Sequence, residues 1–419
     1  VAFRTNFASF LFYFIIAALV WTPLLVGAAY SGTAVSGRSI IAAAIVLIAL
    51  RIALKYSNWK NRRLFVGRLR RLKKWEFWPL QVFYAPVVLY VIYLAIRFRG
   101  LTVFTCANPA IPTGGLVGES KNDIYLGLGE SEHSLRHTLS SSSVSDETRY
   151  TLAKEFMAVN ELDFPVALKP DRGERGRGVS ILRSDDELRS AFEDAKSDLI
   201  LQEFFDGAEA SVFYYRYPDQ PRGRIFSITE KRFPSLTGDG RSSVESLILN
   251  DERAICLARS YFEQNKKDLQ YVPAKGEEFQ IIDIGTHSRG AIFLDGSWLW
   301  THKLESTIDE ICRKYDGFYF GRFDIRAKSF DELRHGLFKI IELNGVSSES
   351  TNIYDPGFSL LDAYRTLFAQ WRIAFEIGEQ NRRRGTKPTP FRALIRIVFG
   401  YNINVRETNT PERHFETCA

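Results

Sequence analysis

Cysteine is scarce in this chain of 419 residues. Cys106, Cys256, Cys312 and Cys418 lie far apart and form no Cys-x-x-Cys pair. That spacing argues against a zinc site and a disulfide framework and fits a reducing compartment. The six histidines form no pattern with serine, cysteine or aspartate of the kind nucleophilic catalysis uses. The chain has no Gly-Lys-Ser/Thr of a P-loop, no Gly-x-Gly-x-x-Gly and no internal repeat.

Acid is missing from one stretch. Between Arg51 and Lys74 there are ten basic residues and no aspartate or glutamate. This block accounts for the net charge of +6, and the rest of the chain is close to neutral. Apolar flanks favour a membrane surface over nucleic acid as its partner. Residues 10–30 carry no charge and are long enough to span a bilayer, which takes about 20 residues. No convincing small-residue cleavage site follows them, so they read as an anchor and not as a signal peptide. A second, shorter run covers 40–54 and is interrupted by Arg51. A third covers 77–96 and holds Pro79 and Pro86, which favours an interfacial segment over a full span. Two spans and an interfacial third run would leave residues 101–419 on the cytoplasmic side of an inner membrane.

From Leu101 onward short β-branched and aromatic runs alternate with charged helical stretches, as in a globular α/β body. Residues 133–147 are polar and serine-rich and read as an exposed loop. Residues 359–382 read as a long helix. Residues 391–401, with Arg392 and Arg396 among apolar residues, read as a basic amphipathic piece.

The stretch VALKPDRGERGRGVS, residues 166–180, ends a strand in Lys169 and continues into a loop with Gly173, Gly176 and Gly178. Lysine supplies a point charge for a phosphate, and glycines let backbone N–H groups approach it. Taken alone, it reads equally well as a basic turn. Three further stretches follow. LILQEFFDGAEASV spans 199–212 and GRFDIR spans 321–326. KIIELNGVSSEST spans 339–351 and places Glu342 and Asn344 on one face of a strand. With Asp324 they supply hard oxygen ligands of the kind Mg²⁺ takes together with phosphates.

This order of parts resembles the ATP-grasp superfamily over residues 121–352, and the motifs are most similar to the carboxylate–amine ligases. Lys231-Arg232-Phe233-Pro234 followed by Gly238-Asp239-Gly240 is similar to a segment of cyanophycin synthetases. The resemblance implies an α/β (α+β) ATP-grasp catalytic domain at 151–358, here preceded by an α-helical membrane-anchoring region at 1–100. Residues 101–150 would be a connector and substrate-side loop, and 359–419 C-terminal helices and tail. It implies ATP and one or two Mg²⁺ ions, with Mn²⁺ as a substitute, and carboxylate and amine substrates that are small or lipid-linked.

It also implies roles for residues. Lys121 and Lys169 would meet phosphates under the loop Gly173–Gly178. Gln202 and the backbone of Glu203 and Phe204 would read adenine, and Glu209 would hold the ribose. Asp324, Glu342 and Asn344 would bind metal. Arg322 would stabilise the acyl phosphate and the tetrahedral intermediate, and Lys231 or Arg232 would approach the γ-phosphate. Arg216, His287, Arg289 and Ser347, with Ser348 and Glu349, are substrate candidates. Phosphoryl transfer to a hydroxyl and an inactive nucleotide-binding scaffold remain open. The chain departs from the family in lacking a sizeable α/β domain before Lys121; only the short piece 101–120, with Asn108-Pro109 and Gly114-Gly115, intervenes.

Overall fold

The computed structural model describes residues 37–173, 178–193, 195–282 and 290–407. The apolar run 10–30, Gly176, His287 and Arg289 lie outside them.

The described strands form three antiparallel sheets. One is a four-stranded sheet in the order β1-β4-β2-β3, made of β1 (His137–Ser140), β2 (Val166–Pro170), β3 (Ser180–Leu182) and β4 (Leu199–Glu203). Helices Asp146–Val159 and Asp185–Glu193 cover one face, closing a core of Met157, Leu168, Leu188, Phe192 and Leu201. β1 falls inside the stretch expected to be a loop. It is a short edge strand in which Leu139 is the exposed residue, and its polar residues hide its pairing with β4.

The central sheet has the order β11-β10-β5-β6-β9. Its strands are β5 (Ala208–Tyr215), β6 (Arg224–Arg232), β9 (Ile292–Asp295), β10 (Phe320–Ala327) and β11 (Lys339–Asn344). A two-stranded ribbon pairs β7 (Ser235–Thr237) with β8 (Glu278–Gln280).

Alternation divides the central sheet into two faces. Ala210, Val212 and Tyr214 of β5 share a core with Phe323, Ile325 and Ala327 of β10, closed by helix His302–Lys314. The other face is apolar at one end, where Phe213 and Phe320 meet Phe104 and Phe375, and polar at the other. Helix Leu360–Arg383, capped by Ser359, covers the apolar end through Ala374, Phe375 and Ile377.

No helix among the described residues is long and apolar enough to cross a membrane. The third apolar run breaks into a helical turn at Trp75–Phe77 and helices Leu80–Phe83 and Ala85–Arg97. It is therefore no span. Phe83 and Val87 join the core around Ile353 and Leu367, and Leu94 joins the core with Phe213. The outer stripe Val88, Leu89, Ile92, Tyr93 and Ile96 is exposed. Part of the basic block is also built in. In helix Trp59–Lys73, Arg63 donates to Leu249 O at 2.8 Å, and Lys60 pairs with Glu245.

Candidate active site

Strand register builds the polar end of the central sheet. Residues directly opposed on antiparallel strands point to the same side. Lys231 on β6 faces Glu209 on β5, which faces Arg326 on β10. One step along, Ser211 faces Asp324, which faces Glu342 on β11. One step further, Arg322 faces Asn344. Asp324, Glu342, Asn344, Arg322 and Lys231 therefore share one surface.

The charges on this surface are paired. Lys231 Nζ lies 2.9 Å from Glu209 Oε1 and 3.1 Å from Asp324 Oδ1. Arg326 grips Glu209 Oε2 through Nε at 2.9 Å and Nη2 at 2.8 Å, a two-pronged contact. Asp324 also receives Ser211 Oγ at 2.5 Å and lies 3.3 Å from Arg322 Nε. Burial opposes ionisation of Asp324, but Arg322 and Lys231 outweigh it and hold the carboxyl well below its usual range. The same balance, with Lys231 and Arg326 as the cations, keeps Glu209 ionised. Burial works against the charge of Lys231, and Asp324 and Glu209 more than restore it.

The four-stranded sheet supplies the opposite wall. Lys169, on β2, is buried and donates to Tyr125 Oη at 2.7 Å, Gln202 Oε1 at 2.8 Å and Ile341 O at 3.0 Å. The Ile341 carbonyl is reachable because the β10–β11 register slips between Asp324 and Ile325, a bulge opposite Ile341. Tyr125 Oη donates to the same carbonyl at 2.7 Å. Burial pushes the Lys169 amine down to about 7, with Lys121 adding to the effect and Glu342 opposing it. Lys121 opens helix Lys121–Leu128, whose cap Ser120 accepts from Asp123 N. Its Nζ donates to Gly173 O at 2.7 Å and lies 3.5 Å from Glu342 Oε1. Lys121 thus meets the Glu342 carboxylate, and Lys169 the neighbouring Ile341 carbonyl.

The connector touches this site. Val346 N donates to Gly114 O at 3.1 Å and Ser347 N to Gly115 O at 2.9 Å. Gly115 has φ +79°, and a Cβ there would stand 2.7 Å from Gly345 Cα. The approach therefore requires glycine. Asn108 fixes the connector to β10 by accepting from Tyr319 N and Phe320 N at 2.9 Å.

Several expected residues are placed otherwise. Arg232 alternates away from Lys231, is largely exposed and pairs with Glu230 at 2.5 Å. Arg216 follows β5 at the end remote from Glu209, seven residues or about 23 Å along the strand direction. It stacks over Tyr319. Glu209 is held by two cations and does not stand free for a ribose. The Glu203 N–H already donates to Arg136 O at 2.8 Å. The Phe204 ring lies 5.4 Å from the Arg326 guanidinium. Ser347 is exposed beside Gly115. Three residues were not singled out from the sequence. Arg326 is the last residue of the quoted GRFDIR, two from Asp324 and so on its face. Tyr125 lies four residues after Lys121 on one helical face. Tyr84, which donates to Glu349 Oε2, left no local signal.

Among the described residues no three His, Cys, Asp or Glu side chains are grouped to hold a metal alone. Asp324 and Glu342 are two acids and Asn344 an amide, a set that suits Mg²⁺ when phosphate oxygens complete its shell. Arg322 Nε pairs with Asp324 at 3.3 Å without making a hydrogen bond.

No family model matches the sequence. A 73-residue stretch, 17% of the chain, is 40% identical to pyruvate carboxylase from Staphylococcus aureus strain Mu50 and spans 6% of that enzyme. Among solved structures the chain is similar to D-alanine–D-alanine ligase from Bacillus anthracis, with a TM-score of 0.36 and 14% identity over 65% of this chain and 69% of the ligase. It is similar to the VanG D-Ala:D-Ser ligase from Enterococcus faecalis, with a TM-score of 0.35 and 14% identity over 62% of this chain and 64% of that one. A bifunctional glutathione synthetase from Pasteurella multocida aligns with a TM-score of 0.34 and 14% identity over 59% of this chain and 36% of the synthetase.

Proposed function

We propose that this chain is an ATP- and Mg²⁺-dependent ligase that joins a carboxylate to an amine through an acyl phosphate, releasing ADP and phosphate. The observation that carries this reading is the convergence of Lys121 and Lys169 on the row of Asp324, Glu342 and Asn344, with Arg322 beside Asp324.

A carboxylate attacking ATP is anion meeting anion, so cations and positioning do most of the work. Lys121 and Lys169 would take the phosphates between the two sheets. Asp324, Glu342 and Asn344 would hold Mg²⁺, which neutralises phosphate charge when bound. Arg322 would steady the negative oxygen that develops when the amine attacks. Its Nη1 donates to Glu349 O at 3.1 Å, while Nε and Nη2 face Asp324. An acyl phosphate hydrolyses in water, and the loop 173–178 is the segment suited to exclude it.

The same reading locates the protein at the cytoplasmic face of a membrane, with residues 10–30 as anchor and the outer stripe of helix Ala85–Arg97 lying on lipid. Support comes from the uncharged run 10–30, the acid-free block 51–74 and the exposed stripe itself. Lipid-linked substrates would suit that position.

The test is product analysis with the detergent-purified full chain, Mg-ATP, a polar lipid extract, amino acids and polyamines. ADP and free phosphate that require both an acid and an amine, with the amide seen by mass spectrometry, support the ligase. ADP with a phosphorylated product and no free phosphate replaces it with a kinase.

A further inference from the structure

Three acids on the polar face of the central sheet have cationic partners. Glu209 has Lys231 and Arg326, Asp324 has Lys231 and Arg322, and Glu342 has Lys121. Glu349 differs. It lies five residues beyond Asn344, and its carbonyl is tied to Arg322. Its carboxylate receives only hydroxyls: Tyr354 Oη at 3.0 Å on Oε1, and Tyr84 Oη on Oε2. Among the described residues no cation pairs with it.

Two neutral donors hold the carboxylate in place without cancelling its charge. A carboxylate removed from water without a counter-charge is costly, and the group responds by favouring its neutral form or by taking up a cation. Burial pushes the Glu349 carboxyl up to about 7, with the Tyr354 hydroxyl opposing. The residue as a whole keeps partial exposure. The surroundings are aromatic: Trp75 stacks on Tyr354 at 5.7 Å, and Phe83 meets Tyr84 edge-on at 5.3 Å. Such walls suit the alkyl part of an amine and attract an ammonium.

We propose that Glu349, steadied by Tyr84 and Tyr354, is the binding point for the amine substrate in its cationic ammonium form. This rests on the ligase reading and names the side of the site from which the nucleophile comes: past Arg322, from the wall built by residues 75–84. Residues 75–84 would then form one wall of the substrate site.

The test is calorimetry on the detergent-purified full chain saturated with Mg-AMP-PNP and titrated with ethanolamine, putrescine and glycinamide at neutral pH. At least one amine is expected to bind, with affinity falling tenfold or more in Glu349→Gln. Glu349→Asp, which keeps the charge, is expected to fall between the two. AMP-PNP affinity should be unchanged in both variants. Amine binding that survives in Glu349→Gln within threefold, or no binding of any of the three to the wild type, overturns the assignment. Failure of AMP-PNP itself to bind would instead overturn the ligase reading.

Discussion

Lys231 Nζ bridges Glu209 and Asp324, at 2.9 and 3.1 Å, and so joins the first two rows of the polar face. All three groups are buried, and removal of the cation leaves each acid with a single arginine. Breaking a buried ion pair by deleting one partner typically costs about 3–5 kcal/mol. Lys231→Met is expected near the low end, about 3 kcal/mol, because the arginines remain. Urea denaturation followed by tryptophan fluorescence measures it; a midpoint equal to wild type would show that the bridge contributes nothing to stability.

The metal assignment predicts a different phenotype for Asp324→Asn and Glu342→Gln. Both keep shape and lose a ligand charge. Turnover of Mg-ATP is expected to fall by about 100-fold or more, the scale on which lost electrostatic stabilisation acts. The thermal midpoint of Glu342→Gln should stay within a few degrees of wild type, since its contact to Lys121 is long at 3.5 Å. Unchanged turnover in either variant removes that residue from the metal set.

Lys169 makes a pH-dependent prediction. Its amine lies near 7 in the fold, below the 10.5 of an ordinary lysine. Between those values the unfolded chain binds the proton and the native chain does not. Stability contributed by this group therefore rises with pH across that window and is lost as pH falls through 7. A bound triphosphate favours the charged amine, so nucleotide binding at pH 8 should take up close to one proton, and at pH 6 almost none. Calorimetry in buffers of different ionisation enthalpy reads this number directly. Equal uptake in Lys169→Met would assign the proton elsewhere.

The outer stripe of helix Ala85–Arg97 predicts lipid association that does not depend on the buried face. Leu89→Asp with Ile96→Asp alters two exposed positions and should leave folding intact. Flotation with vesicles of phosphatidylethanolamine and phosphatidylglycerol should show binding reduced severalfold, with the residual binding due to residues 10–30. Flotation identical to wild type would remove the stripe from the lipid contact.

The strands that carry the site were legible in the sequence because each ends an apolar run in a residue of distinct chemistry. Lys169 lies next to the end of β2, Gln202 and Glu203 end β4, and Asp324 sits within β10, with helix Leu360–Arg383 also legible from the sequence. Alternation already put Glu342 and Asn344 on one face. Pairing partners were not legible, since register joins residues over a hundred positions apart, such as Ser211 and Asp324. Only the tertiary structure turned the third apolar run into a wall of the site. Its hydrophobicity suits a bilayer and a protein core alike, and the choice was made by the aromatic surface of Tyr354 and Tyr364 against which Phe83 came to rest. Tyr84 met Glu349 as a consequence of that packing, a contact 265 residues apart that no local pattern encodes.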